Sequence, residues 1–121
     1  MGNEQLVIAF LEAGAEVDMG RNDGVTPMLF AAHNGQVAVI EALLRAGEMV
    51  DKVDGRIGFT PLMSAAEMGH DVAVSMLLAA GADVEHTTDD GRTALKLATR
   101  LPMNEDGHKR TVALLRRDLI R

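Results

Sequence analysis

The 121-residue sequence has no cysteine, no tryptophan and no tyrosine, and only three phenylalanines. The missing cysteine excludes a disulfide scaffold, thiol chemistry and cysteine-ligated zinc. No apolar run reaches the ~18 residues that a membrane-spanning helix needs, and the first residues, MGNEQ, lack the basic segment of a signal peptide. The net charge of -6 argues against nucleic-acid binding by phosphate neutralisation. We therefore expect a cytoplasmic protein, or a nuclear one, with neither nucleic acid nor membrane as a partner.

The residues that are present repeat along the chain. Segment 26–32 (TPMLFAA) returns as segment 60–66 (TPLMSAA), 34 residues later, and more weakly as 93–99 (TALKLAT), after a further 33 residues. Gly35 and Gly69 each lie nine residues after the threonine that opens their unit. A third landmark, a glycine followed by a short acidic segment, stands at 14–18, 47–51 and 81–85. Three landmarks in phase indicate an internal repeat.

Each full unit carries the markers of two short helices. Thr26 and Thr60 suit the N-cap, where the hydroxyl accepts a hydrogen bond from the first turn, and the proline after each suits the first helical position. Gly35 and Gly69 suit the left-handed position that ends a helix. The second helix has apolar residues spaced near the helical period of about 3.6. These residues are Val37, Ile40, Leu43 and Leu44 in one unit, and Val72, Met76, Leu77 and Leu78 in the next.

The second helix is predicted to end at Gly47 or Gly81, where a polar, glycine-containing stretch begins that is typical of a turn. The unit is therefore a helix, a tight turn, a second helix and a hairpin-like loop. Helices this short are marginal alone, so each must bury its apolar face against the neighbouring unit. We predict an all-α solenoid of about 3.5 stacked units with one continuous core.

The unit resembles the ankyrin repeat, which has a period of ~33 residues and a T-P-L-H-x-A signature. The resemblance covers nearly the whole chain and implies a single domain of stacked units. Their expected bounds are 2–22 for an N-terminal half unit, 23–54 and 55–88 for two full units, and 89–121 for an irregular last unit. The family implies an L-shaped stack whose hairpin tips and inner helices line a concave surface. That surface would bind a protein or peptide, without catalysis, cofactor or metal.

Two departures from the family pattern affect the full units. The histidine of the signature is replaced by Leu29, Met63 and Lys96. The hydrogen bonds that this histidine makes in the family are then absent, and at ~1 kcal/mol each their loss predicts modest stability. The hairpin between Gly47 and Thr60 is also one residue longer than its counterparts.

Two further departures affect the ends. The last unit contains an insertion, and residues 101–106 are predicted to form a loop because Pro102 ends the preceding helix. The chain begins in mid-unit, so the predicted helix 4–13 has no first helix of its own to cover its apolar side. This suggests an alternative function: the chain self-associates weakly through this flank, or is a piece of a longer array that acts as a scaffold or regulatory subunit. Otherwise a monomer is expected.

The resemblance also implies which residues contact the partner. Carried over residue by residue, these are Asn22, Asp23, Val25, His33 and Asn34 in the first full unit, Arg56, Ile57, Phe59, Glu67 and Met68 in the second, and Asp89, Asp90, Arg92, Arg100 and Leu101 in the last. Five of them are apolar and are expected to be exposed as one patch. In this patch Phe59 and Arg56 are of the types enriched at binding hot spots. Alternatively, Phe59 and Ile57 fold back onto the long hairpin as a satellite cluster.

The histidines and serines do not form a catalytic pattern. His70 and His108 each follow a glycine at the inter-helix turn, where the family has a structural histidine, and His86 is expected to be solvated in a hairpin. No two histidines have the spacing of metal ligands, and neither serine lies near a histidine and a carboxylate in sequence. We therefore predict no catalytic residue and no metal site.

The C-terminal segment differs in charge from the rest of the chain. Its basic residues are Lys109, Arg110, Arg116, Arg117 and Arg121. A solvated outer face of the last helix explains them, because cations are favourable near a helix C-terminus. The alternative interpretation is an acidic partner or a polar terminal cap.

Overall fold

The computed structural model describes residues 26–51, 53, 58–100 and 106–120. Within these ranges the chain forms six helices and no strand. The helices are α1 (Pro27–His33), α2 (Val37–Arg45), α3 (Pro61–Met68), α4 (Asp71–Ala79), α5 (Ala94–Thr99) and α6 (Asp106–Leu119). They form three consecutive pairs, as the repeat predicts.

The first helix of each pair begins at a threonine cap. The hydroxyl oxygens of Thr26, Thr60 and Thr93 each accept a hydrogen bond from the backbone N–H three residues later, all at 3.2 Å. Proline occupies the start of α1 and α3, where its missing N–H costs nothing. The three threonines therefore occupy equivalent places in successive layers, as predicted.

The turns between paired helices follow two different designs. Gly35 and Gly69 have φ of +66° and +72°, the left-handed conformation predicted for them. Gly107 was expected at the same place, but it lies in the first turn of α6, without a positive φ. The loop predicted for 101–106 is wrong at Asp106, which begins α6; residues 101–105 lie outside the described part.

The helices stack in two layers. α3 packs between α1 and α5, α4 contacts α2 and α6, and each helix packs on its partner within the pair. We call the first helices of the pairs, α1, α3 and α5, the inner helices, and the second helices, α2, α4 and α6, the outer helices. Alanine pairs on the inner helices, such as Ala65 and Ala66, are fully buried and allow close approach. Equivalent residues of the outer helices complete one continuous core: Ile40, Val74 and Val112, and Leu43, Leu77 and Leu115. The all-α solenoid is therefore confirmed.

Two features of this core differ from the sequence analysis. Val72 was placed on the apolar face of its helix, but its side chain is 53% exposed and Val74 is buried instead. Leu29 and Met63 are buried in the core, so where the signature histidine is missing, packing replaces the lost hydrogen bonds. The predicted modest stability is untested.

Candidate functional site

A row of side chains ends the inner helices. His33, Glu67 and Arg100 each lie seven residues after the capping threonine of their unit, so the stack places them side by side. Arg100 donates to the carboxylate of Glu67 at 3.3 Å. Both side chains remain partly exposed, so water screens this ion pair, and it contributes little to stability. Its carboxylate and guanidinium are therefore accessible to a ligand.

The next position in each unit adds an amide and an apolar side chain. Asn34 is exposed and its side-chain amide donates to the Phe30 carbonyl at 2.9 Å. Met68, its counterpart one unit later, is 43% exposed, as predicted. Phe30 itself is 45% exposed on α1, and sequence reasoning missed it as a site residue. Its counterpart one unit later, Ser64, is buried, so the repeat position gave no signal for this exposure.

The hairpin before α5 ends in a tight polar turn. Thr88 and Arg92 form a backbone hydrogen bond of 2.9 Å, and the Thr88 hydroxyl oxygen also accepts from the Arg92 N–H at 3.0 Å. The Asp90 carboxylate accepts from the Thr88 hydroxyl and from the Arg92 guanidinium. These two hydrogen bonds, the first being the larger influence, lower the pKa of Asp90. Asp89 and Asp90 are exposed, so this tip presents carboxylates to solvent.

The exposure predicted for Phe59 is wrong. Its side chain is only 8% exposed and belongs to the main core rather than to a satellite cluster on its own hairpin. The reason is that the next hairpin covers it: the Arg92 guanidinium lies 5.5 Å from the ring centroid. His86, expected to be solvated, is half-buried and hydrogen-bonded to the Gly58 carbonyl at 3.0 Å. The two hairpins are thereby packed together around Phe59.

The rings of His70 and His108 hydrogen-bond to the ends of the inner helices α1 and α3 in the preceding units. The Nε2–H of His70 donates to the His33 carbonyl, and that of His108 to the Glu67 carbonyl, both at 3.0 Å. Their rings lie against the turn glycines of the preceding unit: a Cβ on Gly35 or Gly69 would come within 2.7 and 2.6 Å of them. The predicted structural role of both histidines is confirmed. Each fixes the backbone that carries a residue of the row above.

Several predicted contact residues lie outside the described part of the chain. They are Asn22, Asp23, Val25, Arg56, Ile57 and Leu101. The helix predicted at 4–13, with the self-association proposed for it, also lies there. Contacts by these residues and self-association stay predictions.

The last pair has exposed polar side chains at repeat positions where the middle pair has buried apolar ones. Lys96 stands at the repeat position of Met63, and Thr99 at that of Ala66. Met63 and Ala66 are buried under the following unit, whereas Lys96 and Thr99 are exposed. The Thr99 hydroxyl instead donates to backbone carbonyls of its own helix. A polar exposed face of this kind is what a terminal capping unit needs.

The described residues contain no group of three or more histidine, cysteine, aspartate or glutamate side chains that could hold a metal ion. None of the described helices has the length and apolar character needed to cross a membrane. What these residues offer chemically is hydrogen bonding, charge and a half-exposed apolar surface.

Comparison with known proteins agrees with the repeat architecture. A family model described as ankyrin repeats matches three copies, over residues 1–88 and 57–119. No curated protein matches the chain. Ankyrin repeats are generally protein–protein interaction modules, and domains built from them are typically non-catalytic.

Proposed function

Because the chain belongs to the ankyrin repeat family, we propose that it is a non-catalytic module that binds a protein or peptide through one concave surface. We define this binding surface by its described residues: His33, Asn34, Glu67, Met68 and Arg100 on the inner helices, and Asp89, Asp90 and Arg92 at the hairpin tip. No catalytic residue, metal or cofactor is part of the proposal. A cytoplasmic or nuclear location, expected from the sequence, goes with it.

The row His33, Glu67 and Arg100 is the observation that carries this proposal. Three chemically different polar groups lie at one repeat position, and His70 and His108 hold the backbone of two of them, His33 and Glu67, in place. A ligand that contacts them meets groups with little remaining backbone freedom, so less entropy is lost on binding.

The apolar part of the binding surface is small. Met68 and Phe30, both on the inner helices, supply its half-exposed apolar area. An apolar centre with a polar rim is the usual arrangement of a protein interface. Phe59 now supports the surface from within, by holding Arg92, rather than contacting the partner.

The remaining predicted contact residues stay in the proposal by their repeat position. They are Asn22, Asp23, Val25, Arg56, Ile57 and Leu101. Equivalent positions of stacked units line one side of a solenoid, and we propose on this ground that these residues extend the same surface.

The test uses a partner captured from the source cell extract with the full chain as bait. We expect Arg100→Glu, combined with Met68→Glu, to weaken the affinity for that partner at least tenfold. The substitution places like charges beside Glu67 and adds a charge to the apolar part of the binding surface. The measurement is calorimetry or biolayer interferometry with purified partner.

The matched control is Arg45→Glu combined with Met49→Glu. Arg45 is also an exposed arginine in a 3.3 Å ion pair with a glutamate, but it lies on α2, and Met49 is an exposed methionine of the following loop. The control is expected to bind the partner within about twofold of the parent chain. Equal affinities for both double variants, each with unchanged circular dichroism, would remove the concave surface as the binding site.

A further inference from the structure

A groove runs between the second helices of the last two pairs, α4 and α6. Its floor is apolar because Ala113, Leu114 and the exposed Val72 line it, and it is open because Ser75 and Ala113 are small. The larger end encloses about 470 Å³, and a smaller end of about 170 Å³ continues from it past Ser75 and Leu114. It lies in the layer of second helices, whereas the binding surface belongs to the first helices and the hairpins. The groove is therefore a separate site.

Two arginines of α6, Arg110 and Arg117, also line this groove. Arg110 and Arg117 are seven residues apart on α6, which is about 10.5 Å along a helix axis. Among the described residues Arg117 has no ion pair, and Arg110 reaches Asp71 only at 3.6 Å with its side chain largely exposed. The other carboxylate at the groove, Asp118, already has its own interaction partner. The groove is thus lined by two arginines and two aspartates, and of these four side chains Arg117 has no ion pair among the described residues.

The charge of α6 also contrasts with that of the whole protein. The helix has four lysines and arginines against two aspartates, whereas the chain as a whole has a net charge of -6. A separate acidic partner matches both the arginines and the apolar floor.

We propose that this groove binds a helical segment of a partner protein that carries carboxylates two turns apart beside small apolar side chains. Such a segment would lay its apolar face along Val72 and Leu114. Residues at i and i+7 of a helix lie on one face, so its two carboxylates would reach Arg110 and Arg117 together. Arginine donates two parallel hydrogen bonds to a carboxylate, which fixes the register of the docked helix.

The test is fluorescence anisotropy of the full chain with a labelled alanine–leucine helix of about 16 residues that carries glutamates seven positions apart. A control peptide has glutamine at those positions. We expect saturable binding of the glutamate peptide and binding of the glutamine peptide at least tenfold weaker. Arg117→Gln is expected to raise Kd about tenfold, since charge-assisted hydrogen bonds are the strong ones.

Arg116→Gln is the matched control variant. It removes the same charge from the adjacent residue of α6, which does not line the groove, so Kd should change less than about twofold. A second variant, Val72→Ser, keeps all charges and should also weaken binding, because it makes the exposed floor polar. Arg100→Glu on the concave surface should leave peptide binding unchanged, which keeps this test separate from that of the proposed function.

Three results would overturn the proposal. The first is no saturable binding of the glutamate peptide at millimolar concentration, and the second is an equal loss with Arg116→Gln and Arg117→Gln, which means unspecific attraction. The third is binding to phosphatidylserine vesicles that the peptide does not displace, which would make the basic helix a lipid contact. Circular dichroism of each variant verifies that the fold is kept.

Discussion

The middle unit and the last unit share their capping threonine and turn histidine but differ in their second helix. Both begin at a capping threonine, and both place a histidine ring against the turn of the unit before. In the middle unit α4 is nine residues long and packs against α2 on one side and α6 on the other. In the last unit α6 is 14 residues long and strongly charged, and its buried residues are His108, Thr111, Val112 and Leu115. The difference shows that a unit's place in the stack decides which residues it can use.

Two glycines that contact each other, Gly69 in the middle unit and Gly107 in the last unit, show the same difference. Gly69 needs its positive φ to turn the chain, whereas Gly107 is helical and needs only its missing side chain. A Cβ on Gly107 would lie 2.2 Å from the carbonyl oxygen of Gly69. The carbonyl oxygen of Gly69, in the turn of the middle unit, therefore leaves no room for a side chain at position 107 of α6.

The largest expected effect comes from Gly107→Ala. Alanine in place of glycine normally stabilises a helix interior by ~1 kcal/mol. Here we expect a loss of about 2–3 kcal/mol in the free energy of unfolding, because the new methyl group overlaps a backbone oxygen that cannot move alone. Urea denaturation measures it, with Ala113→Gly on the exposed side of α6 as the control at about 1 kcal/mol. A stabilised Gly107→Ala variant would contradict the close approach of α6 to the turn.

A smaller effect separates the two bracing histidines. His108→Ala should cost about 2 kcal/mol, because the ring is buried and its loss leaves a cavity and the Glu67 carbonyl without its donor. His70→Ala should cost about half as much, since His70 is only half-buried and water can reach the His33 carbonyl. Thermal and urea unfolding of both variants measure this order. If His70→Ala were the more damaging, burial would not be what distinguishes the two braces.

The smallest expected effect has the opposite sign. Thr111 is fully buried on α6, and its hydroxyl has no hydrogen-bond partner, unlike the capping threonines. Thr111→Val keeps the shape and removes the unpaired polar group, so we expect a gain of about 1 kcal/mol. Thr60→Val, also buried but acting as a cap, should instead lose about 1 kcal/mol. Destabilisation by Thr111→Val in urea denaturation would mean that the hydroxyl has a partner after all.

Much of the fold followed from local signals in the sequence. The threonine caps, the prolines after them and the left-handed glycines could be identified because each acts on residues within its own turn. The exposure of Met68 was predicted from the contact positions that the family resemblance implies. The roles of His70 and His108 came from the family resemblance, and the structure shows their physical basis.

Other parts of the site could not be predicted because they depend on residues far along the chain. Phe59 is covered by Arg92, which lies 33 positions later, and the partner of His86 is Gly58, 28 positions earlier. No hydrophobic pattern within one hairpin records that the next hairpin will lie across it. For the same reason, Phe59 was expected on the surface and His86 in solvent.

By itself, the sequence determined the period, the helix starts and the left-handed turns, since hydroxyl caps, proline rings and glycine backbones act over a few bonds. Only the tertiary structure decided which side chains became surface, how α6 approached Gly69, and where a groove remained between α4 and α6. These depend on how closely neighbouring layers pack, and that distance is set by side chains from two units at once.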